Sequence, residues 1–251
     1  MKPVMTFALM TLRTLLRRRT IWGISIVILL ALFGIGQIPG YGISNEGRFI
    51  LDFGLFGLEI GALLLAIGLA ANIYPRDREQ KTVMPLIAVP LSRGQYLMGR
   101  FVGAAMVQAA AMLVGCIGLM IILLMNGLNI PADLFPATCL LLVEGWFLLA
   151  AVFFFSFWTS PPLNAPLTVL LFILSQMSVS GFIGMLPDAQ GFMRFLRLLL
   201  PHMDVFHIKD PIAHGVGIPG VYFLLAALYG LAYMAFMLSV ALAVFRSRDL
   251  K

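Results

Sequence analysis

Six stretches of this chain are each long enough to cross a bilayer as a helix, and none carries Lys or Arg near its centre. They are residues 21–38, 51–74, 98–125, 138–158, 167–186 and 220–245, the fourth and fifth separated by a tight proline-rich turn from Ser160 to Pro166. A basic side chain at the middle of such a helix costs about 2.5–3.5 kcal/mol to insert. Arg100 stands at the mouth of the third stretch, where its long stem can carry the charge outward. Composition agrees, with 61% hydrophobic and 11% charged residues and a mean hydropathy of +1.00. Soluble domains carry about 45–50% apolar and about 25% charged residues. Too little polar surface is left to cover a water-soluble globule of 251 residues, which excludes a soluble enzyme and a disordered chain. The expected fold is all-α, one polytopic transmembrane domain over residues 1–251 with six transmembrane helices. No secretory cleavage site follows the first stretch, so the N-terminus is expected to belong to the mature protein.

The charges orient the spans. Of 17 basic residues, thirteen lie before the first span, between the second and third, or after the sixth: Lys2, Arg13, Arg17, Arg18, Arg19, Arg76, Arg78, Lys81, Arg93, Arg100, Arg246, Arg248 and Lys251. Only Arg48, Arg194, Arg197 and Lys209 fall on the other face. The positive-inside rule then puts both termini and the 75–97 loop in the cytoplasm. The net charge of +6 is read as attraction to anionic lipid, not to nucleic acid.

Three segments outside the spans carry structure of their own. Residues 1–20 read as an interfacial helix, with apolar side chains in the headgroup boundary and Arg13 and Arg17 to Arg19 at the phosphates. In the 75–97 loop a charged run, Arg76-Asp77-Arg78-Glu79-Gln80-Lys81-Thr82, leads into Val83-Met84-Pro85-Leu86, and Ser92 is placed to cap the third span. Such an elbow is either a grip for a soluble partner or a solvated loop that fixes topology. The 187–219 loop on the outer side is too long for a plain connection. Phe192, Phe195, Leu196 and Leu199 at helical spacing predict an amphipathic helix there. All three histidines, His202, His207 and His214, follow it, but their spacing fits no ligand pattern and Lys209 repels a cation. No metal site is expected.

Glu59 lies deep in the second span and Glu144 within the fourth. An intramembrane acid marks a polar cavity, a partner or a proton path, or else it ties two helices together by hydrogen bonding. Gln108, Asn72, Ser175, Gln176, Ser178 and Ser180 add polar groups expected to face other helices. Glu59, Ser175 and Gln176 are the candidates for a translocation pathway. Gly57-x-x-x-Gly61 and Gly99-x-x-x-Gly103 permit close helix approach. Cys116 and Cys139, in or beside apolar runs, are too few and too buried to suggest a disulfide framework or a metal site.

Catalytic signatures are missing. There is no G-x-x-x-x-G-K-[ST] phosphate loop and no H-E-x-x-H zinc motif. Ser180-Gly181 resembles half of a membrane serine-protease motif, yet no span holds a histidine to serve as base. The chain is read as a non-enzyme with no cofactor of its own.

From Arg78 to Arg93, and again from Tyr96 to Phe101, the sequence resembles the ABC-2 type transporter permeases. Members of that family repeat a Glu, a nearby Thr, a leucine-rich turn, Pro-[Val/Leu]-Ser-Arg and Gly-Lys between the second and third spans. Glu79, Thr82, Pro90, Leu91, Ser92, Arg93 and Gly99 match, while Arg100 replaces the usual Lys and Lys81 the frequent Gly. The acidic residue common in the family's N-terminal interfacial helix is absent. The stretch from Leu200 to Asp210 resembles the group of permeases that mature the copper site of nitrous-oxide reductase. The resemblance implies the membrane subunit of an ABC exporter in a bacterial inner membrane, present in two copies or beside a paralogue. ATP and Mg would be bound by a separate ABC-type ATPase. It also implies that Arg76, Asp77, Arg78, Glu79, Lys81, Thr82, Met84, Pro85 and Leu86 form the coupling helix seated in that ATPase. A periplasmic accessory protein is a further partner consistent with it. The rival readings are an ion-coupled carrier using Glu59 or Glu144, against which no inverted repeat is evident, and a non-transporting membrane assembly subunit.

Overall fold

The computed structural model describes residues 2–37, 46–71, 92–176, 201–206, 208 and 218–247. Among them every regular element is helical, as the apolar runs predict. The helices are α1 (Lys2–Leu16), α2 (Arg19–Gly36), α3 (Glu46–Ala70), α4 (Arg93–Met125), α5 (Leu134–Trp158), α6 (Pro161–Gln176) and α7 (Gly220–Ser247), with a 3-10 turn at Met203–Phe206. Five of them, α2, α3, α4, α5 and α7, are long and apolar enough to cross a membrane. Helix α6 is described for 16 residues, or about 24 Å at 1.5 Å per residue, short of the roughly 30 Å hydrocarbon core. Residues 177–186 of the expected fifth span lie outside the described residues.

Two helix starts differ from the sequence reading. The Ser160–Pro166 segment, expected to be a tight turn, is helical from Pro161 onward, with Pro166 inside the helix. Proline is at home in a first turn, where its missing N–H has no intrahelical acceptor to lose. Helix α4 starts at Arg93, five residues before the expected span, because Ser92 caps it as anticipated. The Ser92 hydroxyl accepts from the Gln95 amide at 3.2 Å, and the Gln95 side chain accepts from the Ser92 amide at 3.1 Å. This reciprocal pair is a capping box.

Glycine sets how the first helices pack. Along α3, Gly57 faces Leu32, Gly61 faces Ile28 and Gly68 faces Ile24, so α2 and α3 run antiparallel. Between α3 and α4 the knobs are reciprocal: Leu119 fills the space over Gly54 and Leu58 the space over Gly115. Helix α1 lies parallel to the start of α4, in the groove made by Gly99 and Gly103. A methyl on Gly103 would stand 2.6 Å from the Ala8 carbonyl oxygen and 2.6 Å from the Thr11 Cβ. Ala8, Thr11 and Leu15 are buried there, while Met5, Leu9 and Met10 of α1 are exposed.

Helix α5 is the centre of the bundle, buried along most of its length. It runs antiparallel to α4, with Phe101 against Phe153. It runs parallel to α7, where Val143 packs on Gly230, Phe147 on Tyr233 and Phe157 on Phe245. Because α5 and α7 are parallel, the chain between them comes back to the end of the bundle from which α5 started.

Candidate functional site

At one end of the bundle, here called the base, the ends of α5 and α7 meet the starts of α1 and α4. Two features of Ser92-Arg93 organise it. Ser92 fixes where the 72–91 segment ends and helix begins. Arg93 then reaches across: its Nη1 donates to the carbonyl oxygens of Phe245 and Arg246, each at 2.9 Å. The last carbonyls of a helix have no intrahelical donor and carry the negative end of its dipole, so a guanidinium is a favourable partner for them. The same guanidinium lies over the Phe245 ring at 5.7 Å.

Rings connect the base laterally. Phe7 of α1 meets Tyr96 of α4 at 6.2 Å, Tyr96 meets Phe245 of α7 at 6.0 Å, and Phe245 meets Phe157 of α5 at 4.8 Å. Arg100 stands over Tyr96 at 5.7 Å and donates to the Thr11 hydroxyl at 3.4 Å. The Thr11 hydroxyl in turn donates to the Phe7 carbonyl at 2.9 Å. Four helices are thereby joined at the place where the 72–91 segment enters α4.

Polar groups also meet at mid-depth. Glu59 on α3 is 3% exposed and accepts a hydrogen bond from the Gln176 amide of α6. Ser175, next to Gln176, turns back on its own helix and donates to the carbonyls of Leu171 and Phe172. Gln108 of α4 is fully buried and donates to the Ala62 carbonyl of α3 at 2.9 Å. It lies flat across Gly145 of α5, where a methyl would stand 2.6 Å from its Nε2. Trp146 donates to the Ala105 carbonyl at 3.2 Å, a second tie between α5 and α4. Glu144, 1% exposed, stands beside Gly145 on α5. Toward the base, Asn164 of α6 donates to the Ser156 hydroxyl at 2.5 Å and the Val152 carbonyl at 3.2 Å of α5.

At the opposite end, two tyrosines of α7 hold the 202–206 segment. The Tyr229 hydroxyl accepts from the His202 amide at 2.8 Å, and the Tyr222 hydroxyl donates to the Val205 carbonyl at 2.8 Å. Met203 and Phe206 are buried, Phe206 closing on Gly230.

The structure thus joins Glu59 and Gln176 and leaves Ser175 on the adjoining turn. Arg76, Asp77, Arg78, Glu79, Lys81, Thr82, Met84, Pro85 and Leu86 lie outside the described residues, as do Asn72, Ser178, Ser180, His207, His214 and the 189–200 segment. No three His, Cys, Asp or Glu side chains come together among the described residues. Cys116 is buried and accepts from the Thr138 hydroxyl at 3.4 Å, whereas Cys139 is exposed, contrary to its reading as interior. The sequence reading used Arg93 only as a topogenic charge and a motif position. A helix-opening arginine at the same end as the last helix's C-terminus was the available signal for its role.

Comparison with known proteins decides the class. A family model described as ABC-2 family transporter protein matches residues 54–250. The chain belongs to the ABC-2 transporter family. Two relatives are each called probable ABC transporter permease protein NosY. The one from Stutzerimonas stutzeri is 33% identical over 123 residues, covering 45% of this chain and 44% of the relative. The one from Pseudomonas aeruginosa is 32% identical over 124 residues, covering 46% and 43%. The matched part is less than half the length of those curated relatives. Family membership and the apolar helices make this chain a multi-pass membrane protein of the ABC-2 transporter family.

Proposed function

We propose that this ABC-2 subunit is the membrane half of an exporter in the bacterial inner membrane, driven by a separate ABC-type ATPase that binds ATP and Mg. The base faces the cytoplasm, and both termini lie on that side. Residues 76–86 seat in the ATPase as a coupling helix. Two copies, or one copy and a paralogue, enclose the pathway, and α6 with the residues that follow it supplies the sixth span. Glu59, Ser175 and Gln176 line that pathway. A periplasmic accessory protein is the further partner in this scheme, and lipids surround the spans. No reaction is assigned to the chain itself.

The observation that supports coupling best is the convergence at the base. A segment that feeds directly into a capped helix, itself locked to three other helices by rings and hydrogen bonds, can pass on a displacement without first dissipating it in a flexible joint. A nucleotide cycle moves such a bundle only by binding its two states unequally. The test is to change Glu79→Arg or delete residues 78–85. Stimulation of the ATPase by the membrane subunit should fall at least tenfold, with membrane insertion unchanged. Normal stimulation in both variants would contradict the proposal.

The buried Glu59–Gln176 pair is the observation that favours an ion-coupled carrier instead. That reading requires transport driven by a proton gradient without nucleotide, and Glu59→Gln would abolish it.

A further inference from the structure

We infer that Arg93 is a positioning residue, a strut that forces the last helix, α7, to move with the start of α4. The inference rests on the ATPase-driven reading above and adds the route by which a push at the base reaches the far end of the molecule.

Phe245 and Arg246 are separated from Arg93 by about 150 residues of chain, with α5 and α6 between. Covalent structure therefore does nothing to keep α7 in step with α4. The guanidinium does it non-covalently, with two charge-assisted hydrogen bonds from one nitrogen and a ring beneath its plane. The Phe245 ring is itself held from both sides, by Tyr96 of α4 and Phe157 of α5. Gly94 brings the backbone of α4 against Leu242 one turn earlier on α7. A rotation of the first turn of α4 thus has a stiff path into α7 at its last turn.

Helix α7 then acts as a lever. It is 28 residues long, about 42 Å at 1.5 Å per residue. Near its middle, Gly230 lies so close to Val143 and Phe206 that a methyl would stand 2.5 Å from the former and 2.8 Å from the latter. That close approach is the natural pivot. Beyond it, Tyr222 and Tyr229 hold the 202–206 segment by its backbone. Displacement at Arg93 is carried by α7 to that segment, which also rests on α5 and α6.

A mere helix cap would stabilise α7 without tying its motion to α4, and the test separates the two. The intact complex with its ATPase is placed in lipid nanodiscs, on a background with Cys116→Ala and Cys139→Ala. Spin labels go on Ile26 of α2 paired with Met98 of α4, or on Ile26 paired with Ala243 of α7, all exposed positions. Distances are compared between nucleotide-free and vanadate-trapped states. Both pairs should shift in the parent. In Arg93→Gln the ATPase should remain bound and the α4 pair should still shift, while the α7 pair loses more than half its change. Arg93→Lys, which keeps a charged donor, should recover most of it. Should Arg93→Gln fail to give a folded complex, Phe245→Leu removes the ring and leaves the carbonyls, and the α7 shift must fall there too. A full α7 shift in Arg93→Gln or Phe245→Leu, or no recovery with Arg93→Lys, overturns the strut. A parent in which neither pair shifts overturns the ATPase-driven reading and the strut with it.

Discussion

Along the α1–α4 seam, backbone lies against backbone: Gly99 and Gly103 admit Phe7, Ala8 and Thr11 to distances that no side chain would permit. The α2–α3 and α3–α4 seams follow the same rule, with Gly54, Gly57, Gly61, Gly68 and Gly115 each receiving a Leu or Ile. Across α3–α6 the join is instead a pair of long polar side chains, Glu59 and Gln176. In a bilayer the first kind of contact is hard to replace, because lipid cannot fill a groove shaped for a helix. The second kind is directional and exchangeable, since either group can bond to something else that enters. Helices α1 to α4 are therefore joined by seams that lipid cannot substitute, whereas the ties of α6 to Glu59 and of the 202–206 backbone to α7 are exchangeable hydrogen bonds.

The comparison breaks most visibly at Gly103. Gly103→Val should lower stability by about 1–3 kcal/mol, the usual cost of overfilling a packed site. The loss would be read as a lower melting temperature and a reduced yield of monodisperse protein in detergent. A variant as stable as the parent would mean that α1 is not seated on α4.

A smaller effect is expected at the far end. Tyr229→Phe takes the acceptor from the His202 amide and should cost about 1 kcal/mol. A cysteine placed at Met203 should then react faster with a soluble thiol reagent than it does in the Tyr229 parent. An unchanged rate would show that the tyrosine does not hold the segment.

The smallest effect is expected at the polar seam. Interhelical hydrogen bonds in a bilayer average about 0.6 kcal/mol, so Gln176→Leu should barely alter the melting temperature. Glu59→Gln should likewise leave stability unchanged, since an amide still accepts from Gln176, but it should impair transport because the carboxyl group is gone. A marked loss of stability in either variant would make this pair a structural tie and not part of a pathway.

How much of this was legible follows from how local each feature is. The apolar runs gave the long helices, and Ser92 announced the α4 cap, to which the structure adds the reciprocal bond of Gln95. The glycine pairs announced close packing without naming the partner, which proved to be α2 for Gly57 and Gly61 and α1 for Gly99 and Gly103. The proline cluster at 161–166 was misread because Pro is counted as a helix breaker, although the first two sit where the helix tolerates them. Arg93 on Phe245, Gln108 across Gly145 and Tyr229 on His202 join positions remote in sequence. No periodicity carries such information, because each depends on which helix faces which. Glu59 was singled out because a lone acid in an apolar run is costly; its partner followed only from the fold.

The central claim is that residues 76–86 engage an ATPase on the cytoplasmic side. A single cysteine at Thr82, carrying a photoactivated cross-linker in native membranes, tests it directly. The account predicts a cross-linked product containing an ABC-type ATPase, and protection of that cysteine from membrane-impermeant reagents applied to intact cells. Labelling from outside the cell, with no ATPase product, would contradict it.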